Sequence, residues 1–263
     1  MRKTIYGLGL MVGVLICLTA CGTSDDPSPK GNGGSGSSGS SETPQLTKHI
    51  AKVITEDGGS IIEYSLSYDS QGRVSKIIST QSGTGTNSHS EKTYQYGETL
   101  IVTKEVTEGK YSNGDSFSRS ESHSFSLNNG LIFKDEEIQN GNTSTDIISY
   151  DAKSYISSIN TKIFIWSDGN LTKLGNRSYE YSNYPWAKNF PLYLDGSNMD
   201  EFLFAMGYYG NIPKNLPSKT ITSETSGATY DYTFDGSYVT KFVITPLVET
   251  NKNHKTTSTI IWE

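Results

Sequence analysis

The side chains with the most chemistry in them are few and scattered. Four histidines, His49, His89, His123 and His254, are the candidate bases and metal ligands. None pairs at the H-x-x-x-H spacing that sets two imidazoles on one helix face, and H-E-x-x-H is absent, which disfavours a zinc protease. No G-x-S-x-G elbow presents a nucleophilic serine. No P-loop lysine follows a glycine loop, and the G-x-G-x-x-G match at Gly31-Asn32-Gly33-Gly34-Ser35-Gly36 lacks both the preceding strand and the following helix. Asp135-Glu136-Glu137 is a local acidic run beside a hairpin, read as exposed strand charge that guards against edge pairing. Glycosidase carboxylates face each other across a cleft and leave no local pattern. The expectation is a non-enzymatic binding or scaffold module, with a hydrolase of dispersed carboxylates or a purely structural protein as the alternatives. No residue is assigned a catalytic role, and no cofactor or metal site is expected.

The remaining chemistry is aromatic. Tyr179, Tyr181, Tyr184, Trp186, Phe190 and Tyr193 come before one short helical segment, and Tyr208 and Tyr209 follow it. Trp and Tyr combine flat apolar area with a polar handle, which suits a glycan face or a protein partner. Tyr184, Trp186, Tyr208 and Tyr209 are the candidate ligand-binding residues. This reading predicts Trp186 or Tyr209 exposed in a groove. The competing reading packs the rings around the helix, because a sheet poor in aliphatics needs aromatic area for its core.

The elements that must position these residues are strands. Ile62, Tyr64, Leu66 and Tyr68 alternate with polar residues, as do Tyr230, Tyr232 and Phe234. That period of two marks half-buried antiparallel strands. Asn113-Gly114, Asn129-Gly130, Asn140-Gly141, Asp168-Gly169 and Asp235-Gly236 supply the positive φ of tight hairpin turns. The expectation is one all-β domain over 47–263, an antiparallel hairpin meander forming a curled sheet or barrel. One short helix is expected near 199–206, with Asn198 as N-cap and Glu201 in a capping-box position. Phe117, Arg119, Glu121, His123 and Phe125 share one face of a strand, and Ser116, Ser118, Ser120, Ser122 and Ser124 share the other. Neither face suits lipid, so a water-borne barrel is expected.

A hairpin unit recurs. Tyr68-Asp69-Ser70-Gln71-Gly72-Arg73, Tyr150-Asp151-Ala152-Lys153-Ser154-Tyr155, Phe234-Asp235-Gly236 and Trp166-Ser167-Asp168-Gly169 each place an aromatic and an acid at or beside a turn. An alternating return strand follows in every case. The acid bonds turn backbone, and the aromatic packs on the return strand.

At the other end of the chain, Arg2 and Lys3 precede an apolar run that ends in Leu18-Thr19-Ala20-Cys21. Charge, length and small residues make 1–20 a signal peptide. Leu18 to Cys21 resembles a bacterial lipobox, which implies a lipid on Cys21 and membrane attachment without a span. Residues 21–46 then form a Gly/Ser/Pro-rich tether of roughly 25–30 Å mean span. Ser24-Asp25-Asp26 resembles the export signal of Bacteroides-type surface lipoproteins. The 33% hydrophobic content of these 263 residues partly averages over that tether. A net charge of −6 excludes nucleic acid as a partner, since phosphate neutralisation needs surplus Lys and Arg.

The recurring unit resembles the tyrosine-aspartate repeats of Rhs-type shells. The whole chain is similar to a family of Bacteroides-type outer-membrane lipoproteins of unknown function with a porin-like β fold. That similarity rests on the lipobox, the tether, the hairpins, Trp166 to Lys173 and Gly207 to Lys219. It implies a fold and an outer-membrane, lipid-anchored address, but no catalytic residue.

Overall fold

In a computed structural model, residues 48–83, 85–187, 190–191, 199–223, 226–248 and 254–263 are described. Cys21, the leader and the tether lie outside them, as do Tyr193 and Asn198.

Sixteen strands form one antiparallel meander that closes on itself. They are β1 (Ile50–Asp57), β2 (Ser60–Tyr68), β3 (Val74–Gly83), β4 (Thr86–Tyr96), β5 (Leu100–Tyr111), β6 (Ser116–Asn128), β7 (Leu131–Gln139) and β8 (Asn142–Tyr150). Then follow β9 (Ile156–Ile159), β10 (Lys162–Ser167), β11 (Asn170–Leu174), β12 (Arg177–Pro185), β13 (Asn215–Ser223), β14 (Ser226–Asp235), β15 (Tyr238–Pro246) and β16 (Thr256–Trp262). Pairing of β1 with β16, Val53 opposite Ile260, makes the barrel and removes both sheet edges.

The turns are built by residues that tolerate the left-handed backbone. Asn129, Asn140 and Asp168 have φ near +50° and each precedes a positive-φ glycine, the signature of two-residue hairpins. The longer turns use an aspartate. Asp69 accepts from the amides of Gln71 and Arg73 through one oxygen and from the Arg73 guanidinium through the other. Asp151 repeats the pattern with Lys153 and Tyr155, and Ser154 takes φ +63° where the earlier turn has Gly72.

One device recurs around the rim. In seven of the eight even-numbered strands an aromatic in the middle or at the end of the strand donates its O–H or N–H to a carbonyl near the start of the strand before it. The pairs are Tyr68 to Ile50, Tyr96 to Val74, Tyr150 to Ile132, Trp166 to Ile156, Tyr181 to Leu171, Tyr232 to Pro217 and Trp262 to Val239, at 2.5–2.9 Å. Only β5–β6 lacks it among the described hairpins. At several of these junctions a bulge shifts the register, as between Ser67 and Tyr68, and leaves backbone carbonyls outside the ladder. The aromatics satisfy them inside the barrel, where an unmet carbonyl is costly.

The same end of the barrel is filled by the segment between β12 and β13. It contains α1 (Glu201–Ala205), buried on every side at Phe202, Leu203, Phe204 and Ala205. The expected N-cap is corrected: Asp200 caps α1, accepting from the Phe202 and Leu203 amides. Gly207, at φ +84°, ends the turn. Trp186 packs edge-on to Phe204, Phe190 on Phe242, and Tyr208 stacks on Tyr96. Backbone bonds stitch this plug to the rim: Ile132 N–H to the Tyr208 carbonyl, Asn211 N–H to Ser154, and Lys214 N–H to Gly169. Gly210 lies so close to Ser154 that a Cβ would stand 2.2 Å from its carbonyl oxygen.

Removing one rim donor tests this seam. Tyr150→Phe strands the Ile132 carbonyl and should cost about 1–3 kcal/mol. Tyr184→Phe, at a ring 50% exposed, should stay within about 0.5 kcal/mol. Thermal or urea unfolding of both variants gives the comparison, and equal effects would contradict the seam.

Candidate functional site

The register of β4 to β8 decides what faces the lumen. Tyr94, Thr103, Phe125 and Asp135 are buried, so their alternating neighbours on each strand face inward too. Working from the plug toward the opposite mouth, the inner wall carries Lys92 opposite Glu105, Glu105 opposite Glu121, and His123 opposite Glu137. Asp135 stands opposite Asp146. The outer positions of β6 are serines, and those of β4 are Asn87, His89, Glu91, Thr93 and Gln95.

Two charged clusters meet here. In the first, Asp200 at the head of α1 is only 3% exposed and lies 2.8 Å from Lys92 Nζ, while the Tyr94 hydroxyl donates to it at 3.0 Å. Burial pushes the Asp200 carboxyl up, but the Lys92 charge, its hydrogen bond and the cap amides outweigh this and hold it below the usual range. Burial likewise opposes the Lys92 ammonium, and Asp200 and Glu201 overcome it and raise its pKa. For Glu201 burial, then the Asp200 charge, outweigh the more distant pull of Lys92 and raise its carboxyl.

In the second cluster His123 lies between carboxylates. Nδ1 is 3.0 Å from each Asp135 oxygen, and Nε2 is 2.9 Å from Glu121 Oε1. Burial would depress the imidazole pKa, and the hydrogen bonds to Asp135 and Glu121 instead push it up to about 10. The His123 hydrogen bond holds Glu121 down at about 2 against its own burial. For Asp135 burial wins and the carboxyl is raised. Gln139 Nε2 donates to Glu121 at 2.6 Å, and Ser90 Oγ to Glu105 at 2.6 Å. Glu105, Glu121, Asp135, Glu137, Asp146, Asp200 and Glu201 thus outnumber Lys92, His123 and the mouth residue Arg119. The chamber attracts cations and hydrogen-bonding solutes.

Two expectations are corrected. Asp135-Glu136-Glu137 is not exposed strand charge throughout. Asp135 is 6% exposed, and with Glu137 it faces the lumen, while only Glu136 points outward to Lys134. Neither Trp186 nor Tyr209 presents an exposed ring: each is 1% exposed in the plug, where a wide lumen needs apolar area, and Trp186 only borders the groove beside Tyr155. Tyr208 is half-buried against Tyr96, and Tyr184 is exposed beside Phe234. The four rings form no common surface. A groove of about 590 Å³ opens beside the plug between Tyr155, Met206, Ile212, Pro213 and Lys214. The charged face of β6 was visible in the alternation, but its cross-strand partners depend on registers that the sequence does not state.

The Asp200–Lys92 pair carries a test. Asp200→Asn keeps an oxygen for the cap amides and removes the charge facing Lys92. It should lower stability at pH 7 by about 3–5 kcal/mol, the usual cost of breaking a buried pair. The folded carboxyl is depressed below its unfolded value of about 3.9. Its stabilisation is therefore fully present above that value and lost as pH falls below it, through the lower pKa of the folded state. Melting temperatures between pH 6 and pH 3 should fall less steeply in Asp200→Asn than in the wild type, and parallel curves would contradict the assignment.

No family model and no curated protein matches the chain. Among solved structures, the chain is similar to a porin-like protein from Bacteroides vulgatus ATCC 8482, with 11% identity over 82% of this chain and 99% of that one, at a TM-score of 0.31.

Proposed function

We propose that this chain is a lipid-anchored binding module of the cell envelope, held at the outer membrane through Cys21. Its barrel stands in water and takes its ligand in the acid-lined lumen. The observation that carries the reading is the division of the wall. The outer face bears the serine row of β6 and charges such as Glu91, Lys104 and Glu108; on a lipid face a lysine costs about 2–4 kcal/mol at the bilayer midplane and a glutamate somewhat less. The outer isoleucines, such as Ile61, Ile138 and Ile163, are scattered among them. The lumen, filled at one end by the plug and charged at the other, has the form of a cup. A cup that neither spans nor conducts needs another means of staying at a membrane, and the lipobox-like Leu18 to Cys21 supplies one. The tether would hold the cup clear of the headgroups.

With Trp186 and Tyr209 enclosed, a glycan would have to enter the lumen or the groove beside Tyr155, rather than an aromatic platform. A glycan array probed with the chain, against a Glu105→Gln/Glu121→Gln variant, separates lumenal binding from none. The address has its own test. Cys21→Ser, or growth with a lipoprotein signal-peptidase inhibitor, should abolish the lipidated form and shift its mobility. Surface proteolysis of intact cells should cleave the wild type. Unchanged lipid labelling in Cys21→Ser would overturn the anchor.

A further inference from the structure

We propose that Glu121, His123 and Glu137 form a binding site for one divalent transition-metal ion of the zinc class, inside the lumen. The inference needs only the barrel and is independent of how the chain is anchored. One ligand atom from each of the three residues lies within 4.8 Å of those of the others. Ligands bound about 2.0–2.2 Å from one zinc stand about 3–4 Å from one another, so the three side chains would draw slightly together on an ion. An imidazole with two carboxylates suits a borderline divalent ion better than calcium or magnesium, which take oxygen alone.

The surroundings are those of a prepared site. The second ring nitrogen of His123 is bonded to both oxygens of Asp135, whose side chain is 9% exposed. A carboxylate there fixes the ring orientation, the usual outer-shell partner of a metal-bound histidine, and Nε2, bonded to Glu121 Oε1 at 2.9 Å, becomes the ligand atom once it gives up its proton. Neutral donors hold one oxygen of each glutamate, Gln139 on Glu121 Oε2 at 2.6 Å and Ser144 on Glu137 Oε2 at 3.2 Å. Oε1 of Glu137 remains for the ion, and Oε1 of Glu121, which is bonded to His123 Nε2, is released to it when that proton leaves. All three ligands stand on paired strands, His123 directly opposite Glu137.

Two further features favour a cation here. Glu105 opposes Glu121, and Asp146 opposes Asp135, like charges at positions where repulsion destabilises a sheet. Thr103, directly opposite His123 on β5, is 1% exposed and its hydroxyl has no hydrogen-bond partner. A buried hydroxyl in that state is ready to bond a water on the ion. On binding, the ion takes the place of the proton on Nε2, which leaves to solvent, and the metal–nitrogen bond forms with the freed lone pair.

The test is titration of the full chain in detergent with Zn²⁺, and with Co²⁺ as a spectroscopic probe. The expected result is one ion per chain. Visible ligand-field bands of Co²⁺ should appear without the thiolate charge-transfer band that Cys17 or Cys21 would give. Glu137→Gln, which leaves the His123 hydrogen bonds intact, should weaken binding at least about tenfold, and Asp135→Asn about 10–100-fold. Zn²⁺ should raise the melting temperature of the wild type and not of Glu137→Gln, with the strand circular dichroism of both unchanged. Absence of stoichiometric binding at millimolar Zn²⁺, a thiolate signature, or equal affinity in Glu137→Gln would each overturn the site.

Discussion

Sixteen strands enclose more space than their own inward side chains can fill. Water can occupy that space only where the wall is polar, and elsewhere apolar rings must. The rest of the molecule follows from how the chain meets this constraint. At one end the segment between β12 and β13 folds back into the lumen, and Trp186, Phe190, Phe202, Phe204 and Tyr209 fill it. At the other end the lumen is left to carboxylates and their partners.

The boundary between the two halves is a single pair of residues. Asp200 caps α1 from the plug, and Lys92 reaches it from the wall, so the helix is both started and docked by one carboxylate. Above that line Glu105, Glu121, His123 and Glu137 line the lumen and are held by polar partners, with His123 also stacked on Phe125. Below it the rim aromatics bond bulge carbonyls and close the wall around the plug. The outer face of β4 to β6 is hydroxylic and charged.

Much of this was legible before any coordinates. Asn129-Gly130, Asn140-Gly141 and Asp168-Gly169 marked hairpins because few residues accept positive φ. The aspartate turns at Asp69 and Asp151 were visible as recurring units because their chemistry is local. The two faces of β6 were visible, since alternation needs no tertiary context. Which face was inside was not, because Phe117 to Phe125 mixes apolar and charged residues. The chamber was missed for the same reason. Asp135 and Glu137 look like surface charge until the register sets them beside His123, residues distant in sequence and joined only by pairing. The burial of Trp186 and Tyr209 was likewise a property of barrel width, which no local pattern encodes.

The central claim is that the lumen is filled by this plug as an integral part of the fold. Amide hydrogen exchange over Asp200–Asn211, read by mass spectrometry, tests it most directly. The account predicts that the Phe204, Met206 and Tyr208 amides, bonded to Asp200, Phe202 and Leu203, exchange as slowly as those of β4 and β6. Exchange at the rate of a free loop, with the wall still protected, would contradict it.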